Sequence, residues 1–188
     1  MVSRSSPPEN GRYIAVRAAV VILLAGGVRI GRCLRIEYTA LQRDTMTDLS
    51  LFRFSHPVEV RFGDIDGMGH VNNAMYFTYM ETARIRYIGE VLGWDGDMHG
   101  LGFILARISC DFKLPLAYGD SVRVYVRVTH FGKASFGMAY VLVRERDGAI
   151  VATGESVQVA YDYGAGASVT VPDEWRARIT AFEPALEA

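Results

Sequence analysis

Polar and apolar positions along the chain change period several times, and each change marks an element. Over residues 56–62, Val58, Val60 and Phe62 recur at every second position, the period of a strand. A glycine-bearing turn, 63–73, interrupts this. Over residues 74–92 the spacing becomes helical: Tyr76, Met80, Ala83 and Tyr87 form one stripe, with Phe77, Ile88 and Val91 beside it. Asn72 or Asn73 supplies an N-cap and Gly93 a stop. So apolar a helix needs cover on at least two sides. Residues 94–101 read as a loop.

Period two then returns four times. The predicted faces are Ile104, Ala106, Ile108, Cys110 and Phe112; Val122, Val124, Val126 and Val128; Phe136, Met138, Tyr140 and Leu142; and Val151, Thr153, Val157, Val159 and Tyr161. Tyr118-Gly119-Asp120, Gly132-Lys133 and Asp147-Gly148 mark the turns between them. Pro172 precedes a short amphipathic segment, residues 173–182. Short turns make neighbouring strands antiparallel. One sheet with a face to bury and one long helix to bury it predict an α+β fold, a curved sheet of five to six strands wrapped around a central helix.

Composition changes this picture only at the N-terminus. The 188 residues are half hydrophobic with a formal net charge of −1, so the whole chain carries no signal for nucleic acid. Residues 1–45, however, hold seven Arg against Glu9, Glu37 and Asp44, an excess of four positive charges, and the remainder is correspondingly acidic. The apolar run 18–28 is shorter than the roughly 20 residues a membrane span needs. Residues 1–45 therefore read as a disordered or spurious extension ahead of a start at Met46, as a targeting segment, or as a structural extension; residues 46–188 read as the folded domain. No stable membrane insertion is expected. Cys33 and Cys110 make neither a disulfide framework nor a metal-binding pair, which fits a cytoplasmic protein.

Candidate chemistry concentrates in residues 63–76, GDIDGMGHVNNAMY. Two aspartates, a histidine and two asparagines sit in a turn that opens directly into the helix. The first N–H groups of a helix lack intrahelical acceptors, and the helix dipole adds positive potential there. A carboxylate beside such an end, facing a carbonyl, is a device for acyl hydrolysis. Read without further context, Asp64 and Asp66 each have a second role, accepting bonds from nearby backbone amides in a turn. Asp64, Asp66 and His70 together fall short of a metal-ligand set, and no metal is expected.

The run from Asp64 to Tyr76, D-x-D-x-x-G-H-V-N-N-x-x-Y, followed by Glu81, Thr82, Ala83 and Arg84, resembles the hotdog-fold thioesterases, in particular the 4-hydroxybenzoyl-CoA thioesterase-like branch. The resemblance covers about residues 54–162. It implies a homodimer whose sheets join edge to edge, often assembled into a homotetramer, with active sites at the subunit interface. It implies acyl-CoA or acyl-carrier-protein substrates and no cofactor. The family's catalytic carboxylate falls on Asp66, as general base or nucleophile, and its oxyanion donor on the backbone N–H of Asn73. His70 matches a position that is catalytic in related plant thioesterases, but Met68 stands where those enzymes carry an asparagine. His70 is thus a base, a substrate contact or a brace for the loop.

Glu81 either faces the pocket, as a reserve carboxylate, or pairs with Arg84 three residues on. Tyr76 and Met80 pack the core or line an acyl channel. Arg107, Lys113, Arg123, Arg127 and Lys133 either hold CoA phosphates or form a solvated sheet face. Two rivals remain: a hotdog protein that binds acyl-CoA without hydrolysing it, and a hotdog dehydratase. The second needs a His–acid pair in a different arrangement.

Overall fold

A computed structural model describes residues 47–94, 96, 100–183 and 186. The reading of residues 1–45 and the start at Met46 lie outside the described residues. Among the described residues six antiparallel strands form one sheet: β1 (Phe54–Glu59), β2 (Leu101–Phe112), β3 (Ser121–Phe131), β4 (Ser135–Arg144), β5 (Ala149–Asp162) and β6 (Ala167–Ser168). Their order is β1-β3-β4-β5-β2, with β6 folded back on the end of β5. β1 and β2 are the end strands. The central helix (Asn73–Leu92) lies against one face, and a second helix (Asp173–Phe182) closes one end of the core. None of the described helices is long and apolar enough to cross a membrane.

The central helix follows its sequence pattern closely. Asn72 is the N-cap, its side chain accepting from Ala74 N at 2.9 Å, and Gly93 ends the helix with φ +69°, a conformation only glycine adopts cheaply. Tyr76, Met80, Ala83 and Tyr87 are all buried. They meet Val122, Val124, Val126 and Val128 of β3 and Phe136, Met138, Tyr140 and Leu142 of β4 in one core. Ala139, Val141 and Val143 point to the other face, where Phe52 and Leu49 cover them.

Three predicted faces are corrected. Phe62 does not continue the face of Val58 and Val60: it is 79% exposed, in a 3-10 turn (Phe62–Asp64), and stacks edge-on against Tyr118. The chain bends there because Asp64 reaches back to the backbone N–H of Arg61 at 3.0 Å. In β2 a bulge at Ala106 switches the faces, so Ile104 lies opposite to Ile108 and Cys110. In β5 the side facing the helix is Ala152, Gly154, Ser156, Gln158 and Ala160, paired with Leu142, Tyr140, Met138 and Phe136 of β4 and Phe103 of β2. Thr153, Val157 and Val159 face away. Small residues are needed under the helix, since a Cβ on Gly154 would come within 2.5 Å of Met80 Sδ.

Candidate active site

The turn between β1 and the central helix is held at successive points. Asp64 is 2% exposed; its Oδ2 accepts from Tyr79 Oη at 2.7 Å, and its Oδ1 from Arg61 Nη2 at 2.9 Å. Burial acts to raise the Asp64 pKa, but the hydrogen bonds from Arg61 and Tyr79 outweigh it and hold the carboxyl below its ordinary value. Burial and the adjacent Asp64 push the Tyr79 hydroxyl well up, so it stays a donor. The Asp64 carbonyl accepts from Asn72 N at 2.9 Å, Ile65 pairs with Val71, and Val71 N reaches Leu116 O at 2.8 Å. Asp64 therefore joins the two ends of the turn.

Asp66 stands at the tip. Its N–H donates to His70 O at 2.8 Å, and its Oδ1 accepts from Met68 N at 2.8 Å and, weakly, from His70 N at 3.4 Å. Oδ2 has no bond among the described residues. Asp66 lines a groove of about 410 Å³ together with Met68, His70, Asn73, Tyr76 and the segment 112–115 at the end of β2. At the helix start, Ala74 N is taken by the Asn72 side chain and Met75 N by the Asn72 carbonyl. Asn73 N is left without an acceptor among the described residues.

Asp66, His70, Asn73 and Tyr76 thus share one groove. Tyr76 forms its inner wall, packed edge-on against Phe112 with centroids 5.0 Å apart, and its hydroxyl reaches Leu114 O at 3.4 Å. Met80 is fully buried one turn further in, over Gly154. Glu81 is not in the groove lining; it is exposed and pairs with Arg84 at 3.4 Å. Cys110 faces the helix from β2, and burial raises its pKa to about 11, which keeps it a thiol. Of the segment 112–115, Lys113 was read as a candidate phosphate contact, while Phe112, Leu114 and Pro115 were missed as site residues. Their signal is Pro115, which stops β2 just where the chain passes the turn. Among the described residues no three His, Cys, Asp or Glu side chains gather as a metal site would require.

A six-stranded antiparallel sheet curled around one long helix, with a polar turn at the helix start, is the hotdog fold. A family model for the Thioesterase-like superfamily matches residues 60–179, and the chain belongs to that superfamily. A Bacillus subtilis (strain 168) protein, YsmA, is 30% identical over 123 residues, covering 65% of this chain and 82% of its own. The long-chain acyl-CoA thioesterase FadM of Escherichia coli (strain K12) is 23% identical over 132 residues, covering 65% of this chain and 93% of its own. A thioesterase from Thermus thermophilus, solved in complex with coenzyme A and Zn, superposes with a TM-score of 0.63 at 36% identity, covering 71% of this chain and 97% of that one. Thioester hydrolysis is the general activity these similarities support.

Proposed function

We propose that the protein hydrolyses an acyl-CoA, or acyl-carrier-protein, thioester to the free acid and thiol. The observation that carries this is the shared groove: it is lined by Asp66 and by Asn73, whose amide has no acceptor among the described residues. Asp66 Oδ1 is occupied by the turn, so the chemistry falls to Oδ2. As general base it takes a proton from water. The resulting hydroxide attacks the thioester carbonyl, and the oxyanion accepts from Asn73 N–H at the positive end of the helix. Collapse breaks the C–S bond, and the thiolate recovers the proton from Asp66. His70 lines the same groove and is exposed, in a position to contact substrate. The relatives that act on acyl-CoA or hold CoA support this substrate class.

A second copy of the chain belongs in this reading. β2 is an end strand, and Leu101, Ile104, Leu105 and Phe112 along it are exposed. Edge-to-edge pairing of two β2 strands covers those side chains and brings the partner against the groove at 112–115. Light scattering on the purified protein tests it; a monomer at micromolar concentration counts against it.

Asp66→Asn tests the mechanism. Asn keeps an oxygen for the Met68 and His70 amides but cannot take a proton, so the variant should stay folded and lose about 10²-fold or more in turnover. Thiol release over a panel of acyl-CoAs reads it out, and turnover near wild type refutes the assignment. The turn bonds to Asp66 Oδ1 favour one other reading, acyl-CoA binding without hydrolysis. In that case the ester remains intact on the protein after prolonged incubation.

A further inference from the structure

Behind the groove, the helix–sheet interface holds a polar cluster that the proposed chemistry does not use. Arg84 is 2% exposed although it is a cation, and Gln158 is fully buried. Arg84 Nη1 approaches Tyr140 Oη at 3.5 Å, Tyr140 Oη and Ser156 Oγ are 2.7 Å apart, and Gln158 Nε2 donates to Ser156 Oγ at 2.8 Å. The only acidic partner of Arg84 among the described residues is the exposed Glu81, at 3.4 Å. Of the three buried side-chain atoms without a partner among the described residues, Arg127 Nε lies elsewhere and two belong to this cluster: Arg84 Nε, a donor, and Gln158 Oε1, an acceptor.

A network that merely pins the helix to the sheet accounts for the Tyr140–Ser156–Gln158 chain. It does not account for the two orphans. A buried polar group without a partner costs about 1–3 kcal/mol, and a buried cation with one weak, half-solvated ion pair is expensive as well. A native core that retains one unmatched donor and one unmatched acceptor on the same network presents a site for a group that both accepts and donates.

The cluster also lies in line with the groove. Along β2 and β5 the paired positions run Phe112↔Ala152, Cys110↔Gly154, Ile108↔Ser156. Along the helix the side chains above them run Tyr76, Met80, Arg84, one turn apart. On this stripe Met80 lies between Tyr76 and Arg84, its sulfur over Gly154, and an unbranched thioether with three rotatable bonds moves aside readily. Ile108 and Cys110 face the helix from the end strand β2 and are half-buried in the single chain.

We propose that Arg84, Tyr140, Ser156 and Gln158 form a recognition site for a hydroxyl carried far out on the acyl chain. The hydroxyl accepts from Arg84 Nε–H and donates to Gln158 Oε1, while the thioester carbonyl sits at Asn73. Eleven residues of helix separate Asn73 from Arg84, roughly 16 Å at 1.5 Å per residue, a span matched by on the order of ten to twelve chain atoms. The inference rests on the acyl-CoA reading of the groove and names the acyl class it takes.

The experiment compares kcat/KM for 12-hydroxydodecanoyl-CoA and dodecanoyl-CoA. Wild type should prefer the hydroxylated ester by about tenfold or more, because a site built around a hydroxyl leaves its own polar groups unpaired with the analogue that lacks one. Gln158→Leu should bring the ratio towards one, with thermal melts showing that the variant is folded. Tyr140→Phe, which removes one hydroxyl and keeps the ring, is the second variant and should shrink the ratio too. A wild-type ratio within about twofold of one, with dodecanoyl-CoA hydrolysed, overturns the inference and leaves the thioesterase reading standing. Hydrolysis of neither ester, nor of acetyl- or benzoyl-CoA, refutes the thioesterase reading instead. The inference is then decided by calorimetry, where equal binding of the two esters overturns it and tighter binding of the hydroxylated one upholds it.

Discussion

Replacing Asp64 by Asn changes one charge and almost no volume at the joint that holds the turn carrying Asp66. Two bonds to the carboxylate are well sheltered: Tyr79 Oη at 2.7 Å and Arg61 N at 3.0 Å. A hydrogen bond to a charged group contributes about 1.5–3 kcal/mol and a neutral one about 0.5–1.5, so losing the charge forfeits about 1 kcal/mol at each. The Arg61 guanidinium adds less, since its side chain is 67% exposed and an ion pair of that kind is screened to about 0–1 kcal/mol. The sum is about 2–3 kcal/mol, which in a domain of this size lowers the melting temperature by roughly 5–10 °C. The pH dependence gives the sharper test. The folded-state pKa of Asp64 is depressed, so its stabilisation is present above the unfolded value near 3.8 and is lost as pH falls through the folded value. Calorimetric melts of wild type and Asp64→Asn should therefore differ most at pH 6–7 and converge at acid pH. An equal gap at pH 7 and pH 3, or none at pH 7, refutes the role given to this carboxylate.

Glu183 has the opposite sign. It is buried at the end of the second helix, accepts from Tyr87 Oη at 2.7 Å, and burial raises its pKa. Its contribution is fully present below the unfolded value of 4.5 and is lost as pH rises through the folded value. Glu183→Gln should therefore melt above wild type at pH 8, with the advantage shrinking towards pH 4.5; a variant that melts lower at pH 8 contradicts this. Gly154→Ala places a Cβ 2.5 Å from Met80 Sδ and 2.8 Å from Ser109 O. The sulfur can move but the β2 carbonyl cannot, and the expected loss is about 1–3 kcal/mol by denaturant titration. A neutral substitution means that the helix rides higher over β5 than described.

Much of the fold was legible because burial follows period. The stripe through Tyr76, Met80, Ala83 and Tyr87 gave the central helix, and the valines of β3 gave a clean alternation. The failures have physical causes. A bulge flips a strand's faces without any glycine or proline to announce it, and Ala106 is such a position. β5 misleads because its helix-facing side is small and polar, the requirement of close packing under Met80, while its bulkier Val157 and Val159 face away. Arg84 hid among charged residues by type. Its position did carry a signal, since it falls four residues after Met80 and four before Ile88, on the buried stripe. The turn that brings Asp66 and Asn73 to one groove was legible from the motif. The groove was not, because its other wall comes from residues 112–115, some forty positions away.

The two roles proposed for the turn around Asp66 need not compete. A general base works best when its carboxylate is held before substrate arrives, since no reorganisation is then required during the reaction. Here the bonds that favour a plain turn are the same ones that would provide that hold. Met68 and His70 amides fix Oδ1, the Ile65–Val71 bridge closes the loop beneath it, and Asp64 ties its base to both Asn72 and Tyr79. Asn72 then caps the helix whose first residue, Asn73, lines the groove. A chain of short local bonds thus runs from the buried Asp64 to the proposed oxyanion donor without crossing to another element. Loosening Asp64 should consequently reach turnover as well as stability. With the base and the amide both intact but less well aimed, Asp64→Asn should lower kcat and leave KM for the acyl-CoA nearly unchanged. A fall in stability with kcat untouched would show that the turn's rigidity serves the fold alone.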